Sequence, residues 1–355
     1  MEKINNLQSF LKTSHEAIII SSEENRRYFT GFPSTHGYLV VSKEEAVFFT
    51  DSRYIEAAQK TVKNCKAKLL TKVSEEIKEY IKDRKIIKIY SEREHITVSV
   101  SDYLKTVFLP CKVTPSKKLE AEITRIRRIK TEEQKEKILT AQKIAEDAFQ
   151  HILTFIKPGV TEKQIALELD FYMLSHGAEA LSFETIAVAG KKSSMPHGVP
   201  DGNVVKDGDF ITMDFGAVYD GYHSDMTRTV AVGNITDEQK KIYETVLKAQ
   251  KSALAVLKKG LPCSEADLAA RSIIDEAGYG KYFGHSTGHG VGVEIHEAPT
   301  LAPKSKDILE VGDVVTVEPG IYIPDKFGVR IEDMAFITEN GYENLTTTPK
   351  ELIIL

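Results

Sequence analysis

The chain has 355 residues, of which 41% are hydrophobic and 28% are charged, as in an ordinary folded protein. Its net charge of -5 gives no overall attraction to nucleic acid or to an anionic membrane. The 3 cysteines are widely spaced, which argues against a disulfide framework or a zinc knuckle. With no secretory signal and no run of about 18 apolar residues, the sequence predicts a cytoplasmic protein whose partner is a small or neutral ligand.

The pattern of predicted helices and strands differs between the N-terminal and C-terminal parts of the chain, which predicts two domains. Short β-branched runs at 17–21, 37–42 and 46–51 alternate with helical segments, a pattern typical of an α/β domain. After a charged, proline-containing segment at 111–123, long amphipathic helices alternate with extended segments. We therefore expect a first domain at 1–122 and a second at 123–355, in an α+β protein overall.

The second domain contains an internal repeat of about 100 residues. Thr131 with Gln134 and Thr236 with Gln239 form two capping boxes, each opening a long helix. Each helix leads through a glycine-containing break into a second helix that is predicted to begin near a hydroxyl cap and to stop at a glycine. These limits are Thr161 and Gly177 in the first unit, and Ser264 and Gly278 in the second.

Each unit continues into a predicted β-hairpin that carries two carboxylates. In the first hairpin, a turn at Asp220-Gly221 would place position 216 opposite 225. Asp214 and Asp225 would then lie on the same face of the strand pair. The second hairpin carries Glu318 and Glu332, 104 and 107 positions further along, so an offset close to that of the helices relates the four carboxylates.

Four converging carboxylates predict a metal site, because they repel one another unless cations lie between them. A lone acidic residue in a strand is more often a turn former or part of a surface ion pair, but an ordered set within a repeat is not explained in that way. His289, in the histidine-rich segment 284–297, shifts the preference from magnesium or calcium to manganese, cobalt, iron or zinc. Such ligands are typical of two-metal hydrolytic sites.

Several segments resemble the pita-bread metallopeptidases, a family that includes methionine aminopeptidases, aminopeptidase P, prolidase and the metal-free creatinase. The resemblance spans about 125–350 and rests on MDFGAVYDGYHSDMTRT, HSTGHGVGVEIHE, VEPGIY and GVRIED. In the first domain, RRYFTGFPSTHGYLVV and TDSRYIEAA resemble the creatinase-type N-terminal domain, which methionine aminopeptidases lack. The resemblance implies a creatinase-like domain followed by a pita-bread domain with a pseudo-two-fold repeat.

The resemblance also implies a ligand set for two divalent ions, with manganese expected first and cobalt, zinc or iron as alternatives. Asp214 would chelate one ion, His289 and Glu318 would hold the other, and Asp225 and Glu332 would bridge both. The nucleophilic hydroxide would lie between the ions. Glu318 would also accept a proton from the attacking water.

Four further residues match non-ligand positions of the family's active site. His285 and His296 would contact the substrate carbonyl or the tetrahedral intermediate, His197 would assist near the leaving nitrogen, and Arg330 would orient the carboxylate side of the site. The alternatives are a solvated loop residue for His197, core residues for His285 and His296, and a plain strand ion pair for Arg330. His36 would reach a partner subunit's site if the protein dimerises.

The function implied by the resemblance is metal-dependent removal of the first residue from peptides that begin Xaa-Pro, as in aminopeptidase P. One alternative is a prolidase restricted to Xaa-Pro dipeptides. A non-catalytic pita-bread binding protein and a metal-free creatinase-like enzyme are discounted, because all five metal ligands are present. The expected partners are proline-containing peptides and a second copy of the chain in a homodimer.

Overall fold

A computed structural model describes residues 2–355, which form two compact units divided after Arg127. The expected α+β class is confirmed, since both units combine helices with sheets. The domain boundary predicted after residue 122 falls inside the helix Lys117–Arg128, and independent folding of the two domains stays a prediction. Within residues 2–355, every helix is too short or too polar to cross a membrane.

The first unit is built on one six-stranded sheet with mixed strand directions. Its strands are β1 (Glu16–Ile20), β2 (Tyr38–Ser42), β3 (Ala46–Thr50), β4 (Lys66–Leu69), β5 (Lys88–Ser91) and β6 (Lys112–Pro115), in the spatial order β4-β3-β2-β1-β5-β6. Its helices are α1 (Glu2–Phe10), α2 (Glu23–Thr30), α3 (Ile55–Thr61), α4 (Lys78–Asp83), α5 (Val98–Val107) and α6 (Lys117–Arg128).

The three predicted apolar runs of the first unit correspond to β1, β2 and β3. Nearly every residue of these strands is buried, which explains why their sequences are continuously apolar rather than alternating between apolar and polar residues. Ile19, Val40, Phe49 and Ile89 pack together in one core cluster. The first unit therefore has its own hydrophobic core.

The second unit contains the predicted pair of helix–helix repeats. Its helices are α7 (Glu132–Phe155), α8 (Glu162–Ser175), α9 (Asp237–Val256) and α10 (Cys263–Glu276). Capping boxes are confirmed at Thr131 and Thr236, and Thr161 forms a third. The helix α10 begins near Ser264 as predicted, but the predicted hydroxyl cap there is wrong, because the N-cap is Pro262 and Ser264 lies inside the first turn.

The strands of the second unit form four sheets. They are β7 (Ala180–Leu181), β8 (Ile186–Ala189), β9 (Phe210–Phe215), β10 (Ala217–Tyr219), β11 (Tyr222–His223), β12 (Met226–Ala231), β13 (Gly288–Gly290), β14 (Glu297–Leu301), β15 (Val314–Val317), β16 (Gly320–Ile323), β17 (Phe327–Arg330), β18 (Asp333–Thr338) and β19 (Gly341–Asn344). The sheet orders are β11-β10-β7, β12-β9-β8, β14-β13-β15-β18-β19 and β16-β17.

The first predicted hairpin is present and is interrupted near its middle. Tyr219 pairs with Tyr222 across Asp220-Gly221, whose φ angles of 45° and 77° are those of a tight hairpin turn. The pairing breaks at Gly216, where an added Cβ would lie 2.0 Å from the Ser224 carbonyl oxygen. The tip of the hairpin therefore joins one sheet, through β10 and β11, while its base joins another, through β9 and β12.

The two repeats pack around separate cores, and the end of the chain returns to the first of them. Ile165 and Met213 belong to one core cluster, and Ile274 and Val315 to the other. Residues 353–355 then run beside β12, where the Ala231 backbone both donates to and accepts from this terminal segment over 2.9 Å. The open edge of β12 is thus covered by residues that follow the second repeat.

Candidate metal centre

The five predicted ligands lie at the interruptions of the two hairpins and on one neighbouring strand. Asp214 is in β9, Asp225 immediately precedes β12, Glu318 follows β15, Glu332 immediately precedes β18, and His289 is in the middle of β13. Their side chains are mostly enclosed, from 1% exposed for Glu332 to 16% for the Glu318 side chain. The fold therefore brings all four carboxylates and the imidazole into the interior of the second unit.

The strand register shows that the four carboxylates are not two copies of one pair. Asp214 pairs with Thr227, so Asp225 lies two positions away from the residue opposite Asp214. In the second hairpin, Val317 pairs with Asp333, which places the next residue, Glu318, opposite Glu332. The position that corresponds to Glu332 in the first hairpin is thus Thr227, and the single offset inferred for all four carboxylates is wrong.

The spacing of the ligand atoms fits a shared cation. His289 Nε2 lies 3.5 Å from Asp225 Oδ2 and 3.5 Å from Glu318 Oε1. Two ligand atoms that are each about 2.1 Å from one ion, at a tetrahedral angle, lie about 3.4 Å apart. Asp225, His289 and Glu332 also offer ligand atoms that all lie within 4.8 Å of one another.

Two carboxylate oxygens at this centre lack any hydrogen-bond partner among the described residues. Asp214 Oδ1 and Glu332 Oε1 are both buried, and the second oxygen of each carboxylate is already bonded to a protein donor. A buried anionic oxygen without a donor is costly, and a bound cation removes that cost. The arrangement of the donor atoms is therefore that of a metal site.

The charges of the centre are poorly balanced by protein groups alone. Burial, followed by the Glu332 and Asp214 charges, raises the pKa of Asp225 well above its ordinary value. Burial also raises the pKa of Glu332, with Glu318 as the next cause, and raises the pKa of Glu318 to about 8. In the metal-free protein these carboxylates therefore compete for protons near neutral pH.

His289 is held with one ring nitrogen facing the carboxylates. Its Nδ1 lies 3.0 Å from the Gly290 carbonyl oxygen, to which it donates, so Nε2 keeps its lone pair. Burial lowers the pKa of His289 to about 4. The hydroxyl of Thr316 accepts from the His289 backbone N–H over 3.0 Å. A neutral imidazole with a free, oriented nitrogen is a suitable metal ligand.

Arg330 is buried within the centre and pairs with Asp214. Its Nη2 donates to Asp214 Oδ2 over 2.6 Å, and its Nε donates to the Thr227 hydroxyl over 2.9 Å. The alternative was a plain ion pair with Glu332 or Asp333, but the carboxylate that Arg330 pairs with is Asp214, while Asp333 pairs with Arg228 over 2.8 Å. Arg330 thus fixes one predicted ligand directly.

Two hydroxyl groups in the centre were missed by reasoning from the sequence. The Thr227 hydroxyl donates to Glu332 Oε2 over 2.7 Å, and the Tyr322 hydroxyl accepts from Arg330 Nη1 over 2.9 Å. In the sequence both residues look like ordinary strand formers. Only the register, which sets Thr227 at the position corresponding to Glu332, could have identified the first of them.

The three non-ligand histidines have different environments. His285 uses both ring nitrogens, with Nδ1 2.8 Å from the Ser286 carbonyl oxygen and Nε2 2.9 Å from the Tyr322 hydroxyl. Burial lowers its pKa to about 4. His296 and His197 are exposed, and the ring of His296 has its centroid 4.4 Å from that of His289. Nearness to His197 contributes to the lowered pKa of His285.

His36 belongs to the first unit. Its Nδ1 lies 3.4 Å from Asp51 Oδ2. The proposed reach of His36 into a partner's site stays a prediction.

Comparison with known proteins matches both parts of the chain to described families. Residues 136–339 match "Metallopeptidase family M24", and residues 3–129 match "Creatinase/Prolidase N-terminal domain". The chain is 38% identical to the Xaa-Pro dipeptidase of Pyrococcus furiosus, over 99% of each chain. It is similar to the solved Xaa-Pro dipeptidase from Bacillus anthracis, with 44% identity, a TM-score of 0.95, and coverage of 100% and 99%. It is also similar to the X-Pro aminopeptidase from Thermotoga maritima, with 36% identity, a TM-score of 0.91, and coverage of 96% and 97%.

Proposed function

We propose that this chain hydrolyses Xaa-Pro dipeptides. It belongs to metallopeptidase family M24 and is therefore a peptidase that uses divalent metal ions. The observation that supports metal-dependent hydrolysis at this site is the buried set of four carboxylates, two of which, Asp225 and Glu318, lie 3.5 Å from His289 Nε2. The choice of a dipeptidase follows the relatives: the similar proteins from P. furiosus and B. anthracis, matched over nearly their full lengths, are Xaa-Pro dipeptidases. Removal of one residue from longer peptides, the first expectation, becomes the second candidate.

We assign the ligands of two divalent ions as the resemblance implies. Asp214 would hold one ion, His289 and Glu318 would hold the other, and Asp225 and Glu332 would be shared by both. Four carboxylates with one imidazole favour manganese among the metals that accept both oxygen and nitrogen ligands. When bound, the ions supply an acidified water as nucleophile and positive charge for the oxyanion.

The chain's own residues then position groups and transfer protons. Glu318, held by the Thr316 hydroxyl over 3.3 Å, accepts the proton released by the attacking water. Arg330 holds Asp214 in its ligand geometry. His296 and His197, which are exposed, contact the substrate, whereas His285 is already bonded through both nitrogens and holds the Tyr322 hydroxyl.

A bond to proline sets a special requirement for the leaving group. The nitrogen of an Xaa-Pro bond carries no hydrogen and lies in a ring, so ordinary peptide recognition through an N–H fails. It must also gain a proton as the bond breaks. We assign delivery of this proton to His197, which lies in the exposed loop beside the centre.

The decisive experiment compares Gly-Pro, Gly-Pro-Ala and Gly-Ala as substrates of the manganese-loaded protein. Cleavage of Gly-Pro alone is the expected result. Cleavage of the tripeptide would instead support the aminopeptidase, which the likeness to the T. maritima enzyme favours. Cleavage of Gly-Ala at the same rate as Gly-Pro would contradict the proline assignment and leave the peptidase activity in place.

Three further expectations are carried forward as proposals. We propose that the two domains fold as separate units and that the protein is a cytoplasmic homodimer. Light scattering of the purified protein tests the dimer directly, since a mass near 39.7 kDa would exclude it.

A further inference from the structure

The segment between β8 and β9 carries His197 and contains little regular structure. Gly190–Ser194 forms a short 3-10 helix, and the next regular strand begins at Phe210. Met195 and Val199, on either side of His197, are 56% and 69% exposed. A long exposed loop has many conformations, so a fixed position for His197 requires anchors within the loop.

Glu162, the first residue of α8, provides such an anchor. Its fully buried carboxylate accepts from the Ala189 N–H over 2.7 Å and from Lys192 Nζ over 2.8 Å, at the start of the loop. It also accepts from Asn203 Nδ2 over 2.9 Å and from the Asp201 N–H over 3.3 Å, at the end of the loop. One side chain therefore joins the two ends of the segment that contains His197.

A second set of contacts fixes the loop close to His197. The Pro196 carbonyl oxygen accepts from Arg330 Nη1 over 3.2 Å, and Ser193 Oγ accepts from the Gly328 N–H over 2.9 Å. The approach to β17 is close, because an added Cβ at Gly328 would lie 2.2 Å from the Ser193 carbonyl oxygen. His197 is thus held between Glu162 on one side and the metal centre on the other.

The internal repeat shows that this junction can form without a buried carboxylate. In the second half, Cys263 is the first residue of α10 and corresponds to Glu162. Both residues make the same backbone contact, from Glu162 N to Asn203 O over 3.0 Å and from Cys263 N to Asp307 O over 2.9 Å. The loop of the second half, between β13 and β15, also carries a histidine, His296, but a thiol stands at the position of Glu162.

From these contacts we propose that Glu162 is a positioning residue, which holds the loop 190–203 so that His197 is correctly placed over the substrate. The proposal rests on the peptidase function proposed above for this site. It assigns Glu162 a role in the reaction although its side chain is fully buried and accepts hydrogen bonds from the end of β8 and from residues of this loop.

Glu162→Gln is the sharpest variant, because the carboxylate accepts four hydrogen bonds and an amide NH2 in place of one oxygen would face at least one of these donors. We expect kcat to fall about 10- to 100-fold, as small misplacements of reacting groups do, while manganese stoichiometry by calorimetry is unchanged. The control is Glu92→Gln in the first unit. Glu92 is also fully buried and accepts from the Ser21 and Ser22 N–H groups and from Asn25 Nδ2, over 2.6, 3.0 and 2.7 Å. That variant should lose stability and keep its kcat.

A double-mutant cycle with His197→Ala separates positioning from general stabilisation. If Glu162 acts through His197, adding Glu162→Gln to the His197→Ala protein changes kcat by less than about twofold. The proposal would be overturned if the kcat losses of the two single variants multiplied in the double variant, or if Glu162→Gln alone left kcat unchanged. Should Glu162→Gln fail to fold, Asn203→Ala removes one donor and takes its place in the same cycle.

A measurement without substrate distinguishes failure of this proposal from failure of the proposed function. The imidazole NMR signal of His197, identified by its absence in His197→Ala, should shift in Glu162→Gln and stay in place in Glu92→Gln. A shift in a protein that cleaves no Xaa-Pro peptide would refute the substrate and retain the positioning role. An unmoved signal would refute the positioning role whatever the substrate.

Discussion

The two halves of the second unit place different residues at corresponding positions of the proposed metal centre. In the first hairpin Asp214 lies opposite Thr227, whereas in the second Glu318 lies opposite Glu332. Thr227 and Glu332, at corresponding positions, are joined by a 2.7 Å hydrogen bond. The repeat therefore supplies a shared frame of strands, and the two halves then use that frame for different side chains.

The largest effect is expected from removing the charge of Asp225. Asp225→Asn should lower kcat by more than about 1,000-fold, equivalent to about 4 kcal/mol of transition-state stabilisation, because a bridging carboxylate is lost. Calorimetry with manganese should show fewer ions bound. The same variant should melt at a higher temperature than the wild type when both are metal-free at neutral pH, since an amide stays neutral when buried, whereas the Asp225 carboxyl must first take up a proton. Unchanged activity would contradict the two-metal assignment.

Arg330 tests the link between the halves. Arg330→Met removes the donors to Asp214, Thr227 and Tyr322 at once, and should weaken manganese binding about 10- to 100-fold, as loss of a group that orients a ligand does. Arg330→Lys keeps the charge but loses the forked geometry, so it should recover only part of the affinity. Full recovery by lysine would mean that charge alone matters at this position.

The stability of the metal-free protein should depend on pH in a direction set by Glu318. Its pKa is raised from 4.5 to about 8, mainly by burial, so the folded state binds a proton that the unfolded state releases. The contribution of Glu318 to stability is then fully present below pH 4.5 and is lost as pH rises towards 8, with a slope of up to about 1.4 kcal/mol per pH unit for one group. Urea titrations between pH 6.5 and 8 measure the slope, because below pH 6.5 the lowered pKa values of His285 and His289 add slopes of opposite sign. Manganese should abolish it, and a slope of opposite sign would refute the pKa direction.

The smallest expected effect is a difference in stability loss between substitutions at the start of α8 and at the start of α10. Thr161→Ala removes a capping hydroxyl that accepts from the Gln164 N–H over 3.2 Å, and should cost about 1 kcal/mol of stability. Ser264→Ala should cost almost nothing, because Ser264 lies inside α10 rather than at its cap. If urea unfolding showed equal losses of stability from the two substitutions, both helices would have a hydroxyl cap.

Local patterns in the sequence were enough for much of this fold. The capping boxes at Thr131 and Thr236, and the turn at Asp220-Gly221, depend on neighbouring residues only, so their spacing reveals them. The relation between the carboxylates could not be obtained in this way. It depends on the register of Val317 with Asp333, which is set by strand pairing over a long separation.

The hydroxyl groups of Thr227 and Tyr322 were missed for a related reason. Both act through contacts with Arg330, and a threonine or tyrosine in a strand carries no local sign of such a role. The sequence motifs also left the substrate preference undecided. The motifs favoured an Xaa-Pro peptidase of either kind, and only the comparison with full-length relatives moved the preference from the aminopeptidase to the dipeptidase.

The terminal segment that runs beside β12 has a consequence for any shortened form of this chain. A fragment that ended after the first half would leave the backbone of Ala231 without its partners at 353–355, and an uncovered strand edge invites association with other chains. That fragment would also hold two of the four carboxylates. Such a fragment is therefore expected to associate through the edge of β12 and to lack a complete metal site.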